Sequence, residues 1–119
     1  MDLNKCVKQC SEACQVLTEA LHELQRLPSG QQSLLLELFS DCLETVRKIL
    51  VGLSHLASRA ENLRAVKSEA SNLGDMAGQI KSIISELKKK SGKSVELDLL
   101  DKKAKLLQLH ASEIKKCLA

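Results

Sequence analysis

Aromatic residues are almost absent from the sequence, which has one Phe and neither Trp nor Tyr. Sites for single-stranded nucleic acid stack bases on aromatic rings, so nucleic-acid binding by stacking is not expected. Turn-forming residues are scarce too, with one Pro and five Gly, too few for the many hairpins of an all-β fold. No apolar run approaches the roughly 18 residues of a membrane span. The N-terminus lacks the basic start and apolar run of a signal peptide.

The residues that are present predict one globular all-α domain, spanning 1–119. Apolar residues make up 44% of the chain and charged residues 28%, which is typical of a folded protein. Five cysteines are an odd number and do not suggest a disulfide framework. We therefore expect a reducing compartment, the cytoplasm, with the nucleus as the alternative.

Four segments carry apolar residues in alternating steps of three and four, the pattern of amphipathic helices. They cover about 2–27, 30–57, 60–90 and 94–118. The first helix is expected to bury a stripe of Leu3, Val7, Cys10, Cys14, Leu17, Leu21 and Leu24, widened by Cys6, Ala13, Ala20 and Leu27. Pro28 ends this helix, and Ser29 with Gln32 resembles an N-cap. Short connections predict an antiparallel up-down-up-down four-helix bundle.

The boundary between the second and third helices is open to two interpretations. Ser58 and Glu61 match a capping box, which favours a break near residues 58–62. The segment Asn72–Asp75, which contains Gly74, is the alternative. A break near residue 60 gives four helices of similar length that bury one another fully, so we favour it.

Three cysteines at spacing four lie on one side of the first helix. In the expected topology Cys6 and Cys10 lie level with Cys117 and His110 at the end of the bundle that holds both termini. Thiolates and imidazole suit a soft metal such as Zn²⁺ or Cu(I), and Cys6 with Cys117 suits a redox pair. Free cysteine also fills apolar cores. We expect core packing, and no cofactor.

A lysine run at the end of the third helix forms a candidate basic patch of Lys88, Lys89, Lys90 and Lys93. Such a patch attracts the phosphates of lipids or nucleic acids. Glu86 lies beside it, no aromatic residue is available to stack a base, and lysines suit a helix C-terminus. A solvated helix end is therefore the favoured interpretation, membrane-surface binding a weaker one, and nucleic-acid binding is not expected.

Leucines outside the four stripes are the candidate partner-binding residues: Leu34, Leu38, Leu99, Leu106 and Leu109. They either widen the core or form a contact surface for an amphipathic helix or a second copy of the chain.

No catalytic or phosphate-binding motif is present, and His22 and His55 fall beside their apolar stripes, so we do not expect an enzyme. The chain is interpreted as a protein-interaction module: an adaptor, a targeting domain or a subunit of a helical assembly. Two alternatives are an amphipathic bundle that binds lipid surfaces and a cysteine-based metal or redox site. The expected architecture is similar to that of focal-adhesion-targeting and vinculin-like adaptor bundles, although no motif of those families matches.

Overall fold

Four α-helices account for the structure, a computed structural model that describes residues 2–55, 61–92 and 94–119, except for the side chain of Glu61. They are α1 (Leu3–Leu24), α2 (Ser29–Ser54), α3 (Glu61–Ser91) and α4 (Val95–Leu118). The described residues contain no strand. The prediction of an all-α protein with four helices is confirmed.

The end of α1 and the start of α2 differ in detail from the prediction. Residues 25–27 leave the helix in a tighter turn, in which Leu27 N donates to Leu24 O at 3.1 Å. This follows from Pro28, whose ring disfavours the α conformation in the residue before it. The predicted Ser29 cap is wrong, because Ser29 is already helical and the cap position is Pro28. Instead, Gln32 Nε2 donates to carbonyl groups at the end of α1.

The connection between α2 and α3 decides between the two interpretations of the middle of the chain. Helix α3 continues through Asn72–Asp75 without interruption, so the alternative break there is wrong. The favoured break falls between Ser54 and Glu61. Its proposed capping box at Ser58 lies outside the described residues.

The helices form a ring in which each packs against two neighbours: α1 with α2 and α4, and α3 with α2 and α4. Among the described residues the backbones of the diagonal pairs, α1 with α3 and α2 with α4, lie farther apart, with no Cα atoms within 8 Å of each other. The body measures 49 × 20 × 18 Å. Four lateral surfaces therefore lie between neighbouring helices, and a residue's position on its helix decides which surface it belongs to.

One apolar cluster fills the ring, and each helix contributes one stripe to it. Leu17, Phe39, Leu73 and Leu107 are fully buried examples, one from each helix. Full burial of such a side chain contributes about 1.5–3 kcal/mol. Thr45 is the one buried polar side chain among the described residues, and its Oγ1 donates to Asp41 O at 2.8 Å.

The stripe predicted for α1 is partly wrong. Leu3 and Val7 are exposed, and Cys14 and Leu21 are only half-buried. The buried residues of α1 are Cys6, Cys10, Ala13, Val16, Leu17, Ala20 and Leu24. The apolar side of α1 is wider than the part of the helix that faces the interior of the ring. The line through positions 3, 7, 14 and 21 therefore faces outward on the α2 side.

Candidate partner-binding surface

The leucines singled out from the sequence lie on different surfaces. Leu34, Leu106 and Leu109 are exposed, whereas Leu38 and Leu99 are half-buried. On α2, Leu34 and Leu38 lie on the same side of the helix as Asp41 and Lys48, which border α3. On α4, Leu99 and Leu106 lie on the same side of the helix as the residues that contact α1. Because the α2/α3 and α1/α4 surfaces lie on opposite sides of the ring, the structure does not bring the two groups together.

The lysine run is largely compensated by neighbouring carboxylates. Lys88 Nζ lies 2.9 Å from Asp98 Oδ1 and 3.5 Å from Asp101 Oδ2. The hydrogen bond to Asp98 raises the pKa of Lys88. Lys89 Nζ lies 3.6 Å from Glu86 Oε1. Lys90 is exposed, and Lys93 lies outside the described residues.

The cysteine candidates lie in the core at one end of the bundle. Cys6, Cys10 and Cys117 are all buried. Burial, reinforced by Cys117, raises the pKa of Cys6 to about 11, and burial raises that of Cys10 to about 12. Thiols with such pKa values stay protonated near neutral pH, whereas the thiolate is the metal ligand and nucleophile.

The fourth metal candidate, His110, is engaged elsewhere. Its Nδ1 lies 2.7 Å from the amide oxygen Oε1 of Gln9 and 3.7 Å from Glu12 Oε2. An amide oxygen only accepts hydrogen bonds, so Nδ1 carries the proton in this contact. In the part of the chain that the structure describes, no three His, Cys, Asp or Glu side chains are arranged to hold a metal ion.

A surface without charge pairs lies between α1 and α2. We call it the neutral face, and define it by the outward positions that the two helices share. Its residues on α1 and just beyond are Leu3, Val7, Ser11, Cys14, Thr18, Leu21 and Gln25; those on α2 are Gln32, Leu36, Ser40, Leu43, Arg47, Leu50 and Ser54. Arg47 is its one charged residue, in a chain with 28% charged residues. None of the fourteen is fully buried.

Contacts between α1 and α2 fix the register of the neutral face. Gln32 Nε2 donates to Gln25 O at 3.4 Å, and Leu21 and Leu36 border one depression. Burial raises the pKa of Cys14, and the nearby guanidinium of Arg47 opposes that shift. These contacts join the end of α1 to the start of α2 and bring Cys14 near Arg47, and the residues of the face extend over both helices.

Apolar side chains are exposed at intervals along this face. Leu3 and Val7 are each 43% exposed near one end, and Leu36 is 47% exposed toward the other. Leu21, Leu43 and Leu50 are half-buried between the two helices. Between them lie small hydroxyl and amide side chains, which hydrogen-bond without carrying charge. Such a surface loses little on desolvation compared with a charged one.

The other lateral surfaces are charged. Glu19 pairs with Lys103 across α1 and α4, and Lys88 pairs with Asp98 across α3 and α4. The depression between α2 and α3 is lined by four carboxylates and one lysine: Asp41, Glu44, Glu69 and Asp75, with Lys48. Among the described residues, no ion pair joins α1 to α2.

A groove along the outer side of α2 adjoins the neutral face. Its volume is about 830 Å³, within the usual range for binding pockets. The neutral face contributes Ser40, Leu43 and Arg47 to its lining, and α3 contributes Val66 among others. A Cβ added at Gly52 would overlap Val66 Cγ2, so α2 and α3 approach each other closely beside the groove.

Apolar periodicity did not reveal the neutral face. The face is defined by the absence of charged residues on two helices together, whereas periodicity describes one helix at a time. The sequence signal exists: positions 3, 7, 11, 14, 18, 21 and 25, with 32, 36, 40, 43, 47, 50 and 54, contain a single charged residue. Recognising it requires the α1/α2 register.

No known protein family, curated protein or solved structure matches this chain. Among the described helices, none is long and apolar enough to cross a membrane. The surface described above is therefore the basis for a functional hypothesis.

Proposed function

We propose that this chain is a non-enzymatic protein-interaction module that binds amphipathic helices of partner proteins on the neutral face. The observation that carries the proposal is the face itself: a surface as long as the bundle, with exposed Leu3, Val7 and Leu36 and one charged residue. Exposed apolar surface rimmed by polar residues is typical of interaction sites.

The form of the face favours a helical partner. A depression between α1 and α2 is bordered by Leu21 and Leu36, and Leu43 and Leu50 are half-buried farther along the face. An amphipathic helix laid into such a groove buries its apolar stripe and keeps its polar side in water. A charge on the buried side of the partner would find only Arg47, so we expect the partner's stripe to be uncharged.

An up-down-up-down arrangement is part of the proposal. It is supported by contacts whose numbers rise on one helix and fall on the next: Gln9 with His110 and Glu19 with Lys103 across α1 and α4. A zero-length carbodiimide should link the Glu19 carboxyl to the Lys103 amine. Parallel α1 and α4 would place Glu19 near the C-terminal end of α4, and a link to Lys115 or Lys116 would contradict the arrangement.

A cytoplasmic setting is also proposed, on the basis of the five free thiols.

The exposed leucines on α4, Leu106 and Leu109, form a separate candidate surface that the experiment must distinguish from the neutral face.

The test compares Leu36→Glu with the matched control Leu109→Glu, since both leucines are exposed and on different surfaces. Each variant is used to capture cell proteins, which are then cross-linked to it with a lysine-reactive reagent that acts on all surfaces. We expect wild type and Leu109→Glu to cross-link to amphipathic helical segments, and Leu36→Glu to lose them. Retention by Leu36→Glu with loss by Leu109→Glu would move the site to α4, and equal capture by all three would refute both surfaces.

A further inference from the structure

We propose that the partner covering the neutral face is a second copy of this chain, which makes the protein a symmetric dimer. The inference rests on the proposed function, because it assigns the occupant of the same surface. Three features of the described residues carry it: the charge of the face, its area and the position of Cys14.

Charge distinguishes the neutral face from the other three lateral surfaces. The α2/α3 surface presents an excess of carboxylates, so a copy placed on itself there would oppose like charges. The α1/α4 and α3/α4 surfaces carry ion pairs, whose charged groups would lose hydration if they were covered. The neutral face carries Arg47 alone, about one turn from its middle. In a two-fold dimer the two guanidinium groups lie off the axis, so they need not meet. The face therefore meets a second copy of itself without like-charge repulsion, as a stable isologous interface requires.

One lateral side of the body is large enough for a standard interface. A side of 49 by 18 Å has a projected area of about 880 Å². Standard stable interfaces bury about 800 Å² on each partner. One whole face is thus needed, and the neutral face runs the length of the bundle. Burial of a single α4 leucine cluster, by contrast, would cover only part of a face.

Cys14 lies at mid-length on the face, where a two-fold axis brings two copies together. On α1 the face runs from Leu3 to Gln25, with Cys14 at its middle; on α2 it runs from Gln32 to Ser54, with Leu43 at its middle. A two-fold axis in the interface, along or across the bundle, brings mid-length residues to the same level. The two Cys14 side chains then lie within about one helix spacing, roughly 10 Å.

Cys14 is also a specific reporter of this dimer. It is half-buried, whereas Cys6, Cys10, Cys42 and Cys117 are buried in the core. A bismaleimide with an arm of about 10 Å, matched to one helix spacing, should join two copies through Cys14. Each maleimide double bond adds one thiol, so no oxidant is required.

The experiment uses the full chain under reducing conditions. Sedimentation equilibrium should give twice the chain mass of 13.1 kDa. Leu36→Glu and Ser40→Glu each place a carboxylate on the face of both copies, and should weaken association by about 100-fold or more. Ser40 is exposed and its substitution removes no core contact, so it stays informative where Leu36→Glu affects folding. The control Leu109→Glu should remain a dimer.

Cross-linking gives the second readout. Wild type should yield a covalent dimer with the bismaleimide, and Cys14→Ser should not. A dimer that persists in both glutamate variants, or that cross-links without Cys14, would overturn the assignment of the neutral face.

The failures of the two proposals are distinguishable. A wild-type chain that sediments as a monomer at about 100 μM, where interfaces of standard size are normally occupied, would overturn the dimer. The proposed function would survive if Leu36→Glu still lost helical partners. If Leu36→Glu no longer dimerises but captures other proteins as wild type does, the dimer proposal stands. The neutral face is then not the binding site for those other proteins.

Discussion

Replacing Gly52 by alanine tests the closest approach between two helices in the bundle. Gly52 lies in α2, and the side chain of Val66 in α3 occupies the place that its Cβ would take. Val66 is 2% exposed and β-branched, so its χ1 angle has little freedom to yield. We therefore expect Gly52→Ala to push α2 and α3 apart.

The magnitude follows from two opposing effects. Alanine in a helix interior is favoured over glycine by about 1 kcal/mol. Overpacking a buried contact costs about 1–3 kcal/mol, and overlap with a stiff, buried side chain places this substitution at the upper end. The net expectation is a loss of about 1–2 kcal/mol in the free energy of unfolding, since the helix gain offsets about 1 kcal/mol of the strain.

Chemical denaturation followed by circular dichroism measures the change. The matched control is Gly78→Ala in α3, where an added Cβ would lie 3.9 Å from Gln108 Nε2, an ordinary contact. That control should be stabilised by up to about 1 kcal/mol. Combining Gly52→Ala with Val66→Ala removes the overlap, so the double mutant should be more stable than the sum of the single effects by about 2 kcal/mol. Stabilisation of Gly52→Ala equal to that of Gly78→Ala would refute the close approach.

Three further predictions follow from the described residues. In dilute protein near pH 8, an aromatic disulfide reagent should titrate one thiol quickly, that of Cys14, and the other four only after unfolding; two fast thiols would contradict the burial assigned to the core. Burial raises the pKa of both Cys10 and Cys42 to about 12 from the ordinary value of 9.0, so their contribution to stability is complete below pH 9 and is lost as pH rises toward 12. Unfolding titrations from pH 7 to pH 11 should therefore show a smaller alkaline loss for Cys42→Ala than for wild type, and an equal loss would count against that cause. Gly92 has φ +79° at the end of α3, a backbone conformation that favours glycine. Gly92→Ala should therefore lower stability by about 1 kcal/mol in a thermal melt, and Gly92→Asn should cost less. An unchanged melting temperature for Gly92→Ala would contradict the positive φ at the end of α3.

Helix number was predictable from the sequence because the chain marks its helices with independent signals. The steps of three and four define the stripes, Pro28 ends α1, and Ser94 caps α4 with Oγ accepting from Leu97 N at 3.3 Å. The cap of α2 was not predictable in the same way. Ser29 and Gln32 fit the usual pattern, but Pro28 already occupies the cap position, and Gln32 turns back to the carbonyls that end α1.

The candidate site was harder to predict, because apolar periodicity does not separate a core stripe from a neighbouring exposed one. On α1 the line through Cys6, Ala13 and Ala20 and the line through Val7, Cys14 and Leu21 are both apolar. Only the position of α1 in the ring shows that the first line faces inward and the second faces outward. The register with α2 then adds Leu36 and Leu43 to the second line.

Exposed apolar residues on α1 and on α4 differ in their suitability for binding a partner, because the side chains around them differ. Leu106 and Leu109 lie among Lys102, Lys105 and Glu113, so they form a small apolar spot on a charged surface, which is ordinary in soluble proteins. Val7 and its line adjoin hydroxyl and amide side chains on both helices. A surface with one charged residue along its full length has few favourable interactions with water to lose when it is covered. The same apolar excess that obscures the core boundary of α1 therefore makes the neutral face suited to binding.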